Sequence, residues 1–150
     1  MSKHEEIDPD ALAATLDEVQ AWAGQSGEVI TALDFAQLAG SAGLLCAYAA
    51  LLAPDLVEVE GRWFLRDKFS RANYDNWVRN LGDRAHVQMM MNHLHLSSFL
   101  QNGASDESIE MKAAEMLRAI WQKTLPASVT ITLGSPDDFG GVSITFHQDQ

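Results

Sequence analysis

Val57-Glu58-Val59-Glu60-Gly61-Arg62-Trp63-Phe64-Leu65 is the stretch whose reading decides the fold class. Val57 and Val59 alternate with Glu58 and Glu60, a glycine follows, and Trp63-Phe64-Leu65 runs back, which is the pattern of a β-hairpin. A three-residue turn with Gly61 in the left-handed conformation pairs Val57 with Trp63 and Glu58 with Arg62. A two-residue turn pairs Val59 with Arg62, which fits the alternation less well, so the three-residue register is the one expected.

Helical patterns lie on both sides of this hairpin. Upstream, Asp8-Pro9 reads as a cap followed by a first-turn proline, and Leu12, Leu16, Val19 and Trp22 follow at helical spacing until Gly24 and Gly27. Thr31 and Asp34 have the spacing of a capping box and open a second helix that stops before Pro54. Ala39, Gly43 and Ala47 recur every fourth residue there, which predicts a central helix closely approached by another element. Downstream, Ser70 caps a third helix with the stripe Tyr74, Trp77, Val78, Leu81 and with Gly82 at its end. Asp83 caps a fourth carrying Val87, Met90, Met91 and Leu94. Ser105 caps a fifth whose face is Ile109, Ala113, Met116, Leu117, Ile120 and Trp121. Val129, Ile131 and Leu133, then Val142, Ile144 and Phe146, make two closing strands around a loop at residues 135–141.

Helices and strands are segregated and both strand pairs read as antiparallel. The expectation is therefore a single α+β domain over 1–150, order ααββαααββ, with residues 1–8 a flexible lead-in. Each hairpin is marginal alone, so the two are expected to share one small sheet packed against helices.

Composition narrows the function. The chain has 150 residues, 47% hydrophobic, with a net charge of −11. That acidity argues against a nucleic-acid partner or an anionic membrane surface. The lone cysteine, Cys46, excludes an intramolecular disulfide, and its apolar neighbours predict a packed thiol rather than a nucleophile. Phe35–Ala53 has no formal charge and is long enough to suggest a membrane span. Alanine dominates it, however, Gly40, Ser41 and Gly43 interrupt it, and no basic residue occurs between Lys3 and Arg62 to anchor it. A buried helix of a cytoplasmic protein, with no membrane partner, is the expectation.

Two clusters could carry chemistry or binding. The first is His86, Met89, Met90, Met91, Asn92, His93 and His95. On one helix His86 and His93 lie about 20° apart, while His95 falls about 160° from His93. If the helix breaks at Asn92, His93 and His95 share a strand face and lose His86. Neither arrangement completes a three-ligand metal site alone, so no cofactor is expected, and metal or small-molecule binding (even hydrolysis) through His86 and His93 is the alternative reading. The second cluster is Gly61–Arg84, which holds six basic residues against three acidic ones, net +3, and five of the twelve aromatics. Residues 1–60 carry −10 and residues 85–150 carry −4. Arginine interleaved with tryptophan and tyrosine is the composition of protein interfaces, so Arg62, Trp63, Phe64, Arg66, Arg71 and Arg79 are the candidate interaction patch.

Catalytic motifs are absent. There is no nucleophile elbow, P-loop, dinucleotide-binding glycine motif, His-Glu-x-x-His or Cys-x-x-Cys, and Asp138-Phe139-Gly140 lacks every other kinase element. The expected function is a small, soluble, acidic interaction domain without catalytic activity, bound to a protein partner or to its own copy.

Overall fold

The computed structural model describes residues 8–14, 16–99, 107–134 and 141–149 of the chain. It is a mixed helix and strand fold with antiparallel sheets, as the α+β reading requires. The chain divides into two compact units, Met1–Tyr48 and Ala49–Gln150. The lead-in expected over 1–8 lies outside the described residues except for Asp8, as does Ser105.

The first unit is helical. Asp8 Oδ1 accepts the Asp10 N–H at 3.0 Å and starts α1, Pro9–Ala13. The single first helix expected from the spacing is in fact two. Leu16 has extended backbone, and α2 begins anew at Asp17 and runs to Ser26. Gly24 lies inside α2, while Gly27, at φ 71, ends it. Thr31 and Asp34 form the expected capping box in full and open α3, Ala32–Ala39.

The long helix expected to follow is also divided. Gly40 turns to extended backbone, and a Cβ placed there would lie 2.3 Å from the Ala36 carbonyl oxygen, so only glycine fits without a shift. Ser41 Oγ then accepts the Leu44 N–H at 3.2 Å at the start of α4, Ala42–Leu52. The row Ala39, Gly43, Ala47 is thereby split between two helices and is exposed. A Cβ on Gly43 would meet nothing closer than Ser41 Oγ at 3.9 Å, so the close approach expected there is not found.

In the second unit β1, Leu56–Val59, pairs with β2, Arg62–Leu65. The register is Val59↔Arg62 and Val57↔Phe64, so the turn has two residues and not three. Glu60 and Gly61 both have positive φ, 53° and 78°, the turn whose twist matches that of the strands. Glu60 is held in that rare conformation from outside the hairpin. Its carboxylate accepts the Tyr74 hydroxyl at 3.0 Å and pairs with Arg84 at 2.6 Å and Arg71 at 3.3 Å. These partners lie on or at the start of the next two helices, so the alternation within the hairpin could not reveal them.

This register buries both faces of the hairpin. Val57, Val59 and Phe64 join Tyr74, Val87 and Met91 beneath α5, Arg71–Leu81, and α6, Arg84–Met91. Leu56, Trp63 and Leu65 join the larger core around Trp121, Ile144 and Phe146. The caps Ser70, Gly82 and Asp83 stand where the sequence places them.

The expected single sheet is two. After α6 stops at Met91, β3, Leu94–His95, pairs with β5, Ser143–His147, which pairs on its other side with β4, Thr130–Gly134. Leu94, expected on the fourth helix, is therefore a strand residue. The order β3-β5-β4 buries Ser143 to Phe146 completely or nearly so. Helix α7, Glu107–Thr124, covers this sheet with Glu110, Ala114, Leu117 and Trp121. Leu117 and Trp121 were expected on that face. Ala113 also packs against this core from the edge of that face, Ile109, Met116 and Ile120 are half-buried, and Ala114 and Glu110 are the fully covered positions that the spacing did not pick out.

Side-chain amides join the two sheets in place of a strand ladder. Trp63 and Leu65 turn their backbone groups away from β1. Asn92 Oδ1 accepts the Leu65 N–H at 3.0 Å, and its Nδ2 donates to the Trp63 carbonyl at 3.1 Å and the Phe146 carbonyl at 3.2 Å. Gln88 Nε2 donates to the same Trp63 carbonyl at 2.9 Å, while Gln88 Oε1 accepts the Gln148 N–H at 2.8 Å. Both amides are fully buried, where unpaired polar groups are costly, and both are fully used.

Candidate interaction surface

The residues of the expected basic–aromatic patch do not form one surface. Phe64 is buried, with its ring 5.2 Å from Phe69 and 5.5 Å from Tyr74, and serves the core instead of an interface. Trp63 is half-buried against the larger core. Arg62 is half-buried as well, and its Nη1 donates to Gln88 Oε1 at 3.0 Å and to the Gln148 carbonyl at 2.8 Å. The strand alternation that would point Arg62 outward is answered by α6 and the C-terminal segment, which supply acceptors.

Arg66, Arg71 and Arg79 are exposed. Arg66 pairs with Asp55 at 2.6 Å and donates to the Leu56 carbonyl at 2.9 Å. Arg71 pairs with Glu60 and with Asp75 at 3.0 Å, and its guanidinium lies 5.3 Å from the centre of the Tyr74 ring. Arg79 donates to the Asp75 carbonyl one turn back along its own helix. Glu60 is the hub of this region. The Tyr74 hydroxyl, with Arg84 and Arg71, holds its carboxyl below the usual range, while burial and the same bond raise Tyr74. Beside them, Arg62, Gly82, Asp83 and Arg84 line a shallow, open concavity.

The histidines separate as helix termination dictates. His86 is exposed on α6, whereas His93 lies beyond the helix end with its ring centroid 4.6 Å from that of His95. Burial, followed by the charges of His95 and Lys68, lowers the His93 pKa. Lys68 Nζ donates to the His93 carbonyl, and desolvation lowers its own pKa. Among the described residues, no three His, Cys, Asp or Glu side chains stand together to hold a metal ion.

The exposed large apolar side chains lie elsewhere. Trp22, Val29, Leu33, Leu38, Leu44, Leu45, Tyr48 and Leu52 are all exposed, Leu33 at 68% and Leu45 at 73%. Neither α3 nor α4 has a buried residue. Cys46, expected to be packed, is exposed on α4 too. Sequence patterning missed this surface because an uncharged helix reads as an interior one. No helix of the described residues is long and apolar enough to cross a membrane. Compared with known families, curated proteins and solved structures, the chain matches no family model, no curated sequence and no solved fold.

Proposed function

We propose that this chain is a protein-interaction domain that binds through the apolar side chains of α3 and α4. The observation that carries this reading is the exposure of Leu33, Leu38, Leu44, Leu45 and Tyr48 on two consecutive helices without a single buried residue. Apolar residues scattered singly over a surface need no explanation, but a concentrated set marks a contact site. These side chains are about half to three-quarters exposed, so covering each contributes about 1–2 kcal/mol, and several together reach the scale on which interfaces are built. The arginines of Gly61–Arg84 contribute less support, because Arg62, Arg66 and Arg71 already have partners within the fold.

Site-directed photo-crosslinking tests this reading. A photoreactive residue at position 45 is expected to give saturable protein adducts that excess unlabelled chain competes away. A chain carrying Leu44→Gln and Leu45→Gln is expected not to compete, although its circular dichroism is unchanged. Adducts from position 79 alone would move the interface to the basic segment, and none from either position would sink the reading.

A further inference from the structure

We infer that the occupant of this surface is a basic amphipathic helix of a partner protein. The inference rests on the interaction reading above and adds the chemistry of the partner. On α4, Leu44, Leu45 and Tyr48 fall within an arc of about 100°. Gly43 and Ala47 flank that arc, and both are exposed. A stripe of large side chains beside small ones admits the ridge of another helix at close range. The backbone of α4 is hydrogen-bonded within the helix and offers no ladder to an extended peptide, so the fitting mode is helix against helix.

Charge selects among helices. From Asp8 to Tyr48 the chain has six carboxylates and no lysine or arginine. Asp17, Glu18, Glu28 and Asp34 are all exposed. Hydrogen bonds from Thr31 lower the pKa of Asp34 and keep it charged. A second copy of this unit would bring the same carboxylates against these without a counter-charge, and an anionic lipid surface is repelled in the same way. A helix with leucine-type anchors flanked by lysine or arginine satisfies both the apolar stripe and the net negative charge of the unit that carries it.

The probes are two labelled synthetic helices of one pattern, leucine with lysine and leucine with glutamate, read by fluorescence anisotropy against the full chain. The lysine peptide is expected to bind saturably, more weakly as salt is added, and the glutamate peptide not to bind. Leu44→Gln with Leu45→Gln is expected to weaken the lysine peptide about ten-fold or more. Glu18→Gln with Glu28→Gln is expected to weaken it less and to flatten its salt dependence. Equal binding of both peptides, or indifference to the leucine changes, would overturn the inference. So would a self-associated chain that the leucine changes dissociate, or binding to phosphatidylcholine vesicles that they abolish. In the self-association case the interaction reading survives and only the partner chemistry falls; if the chain gives no protein adduct at all, both fall.

Discussion

Asn92→Ala removes the amide that stands between the two sheets, and its cost can be worked from the bonds it breaks. Asn92 serves the Leu65 N–H, the Trp63 carbonyl and the Phe146 carbonyl. The Trp63 carbonyl keeps Gln88 as a partner, so two backbone groups are left without one in a fully buried setting. At about 1–3 kcal/mol for each orphaned group, the expected loss is about 2–6 kcal/mol. That is a large fraction of the roughly 5–15 kcal/mol that holds a typical domain folded. Urea unfolding followed by tryptophan fluorescence measures it, with Asn80→Ala on the exposed face of α5 as a control expected to change stability by less than about 0.5 kcal/mol. Gln88→Ala completes a cycle. The double variant orphans the Trp63 carbonyl as well, so it should lose about 1–3 kcal/mol more than the two single changes together on account of that shared group. A loss below about 1 kcal/mol for Asn92→Ala, or strict additivity in the cycle, would refute the assignment of these amides as the link between sheets.

Three further outcomes follow from the geometry. Glu60 has a pKa below its ordinary value of 4.5, so the native state binds fewer protons than the unfolded state as pH falls past that value. Stability from Glu60 is thus present above about pH 4.5 and lost through the acid range below it; urea midpoints against pH should show a shallower acid slope in Glu60→Gln than in wild type. Gly61→Ala places a Cβ at φ 78 and should cost about 1–2 kcal/mol in the same assay, whereas a neutral result would remove the positive-φ turn. Gly43→Ala should be neutral or stabilise by up to about 1 kcal/mol, because its Cβ enters open space on a helix; a loss would restore the close contact once expected there.

Local chemistry alone determined much of this protein. Thr31 with Asp34, Ser70, Gly82 and Asp83 cap helices where their side chains and φ preferences reach only neighbours in sequence. Strand alternation located β1, β2, β4 and β5 for the same reason. Tertiary structure decided what depends on distant partners. The hairpin register turned on Glu60, whose positive φ is held by Tyr74, Arg71 and Arg84 on or beside other elements. The split into two sheets turned on Asn92 and Gln88, which read as ordinary helical polar residues until their amides meet the edges of β2 and β5. The candidate surface turned on exposure. Hydrophobicity records what a residue gains by leaving water, and only the packed structure shows which of Phe64, Trp121 and Leu45 has done so.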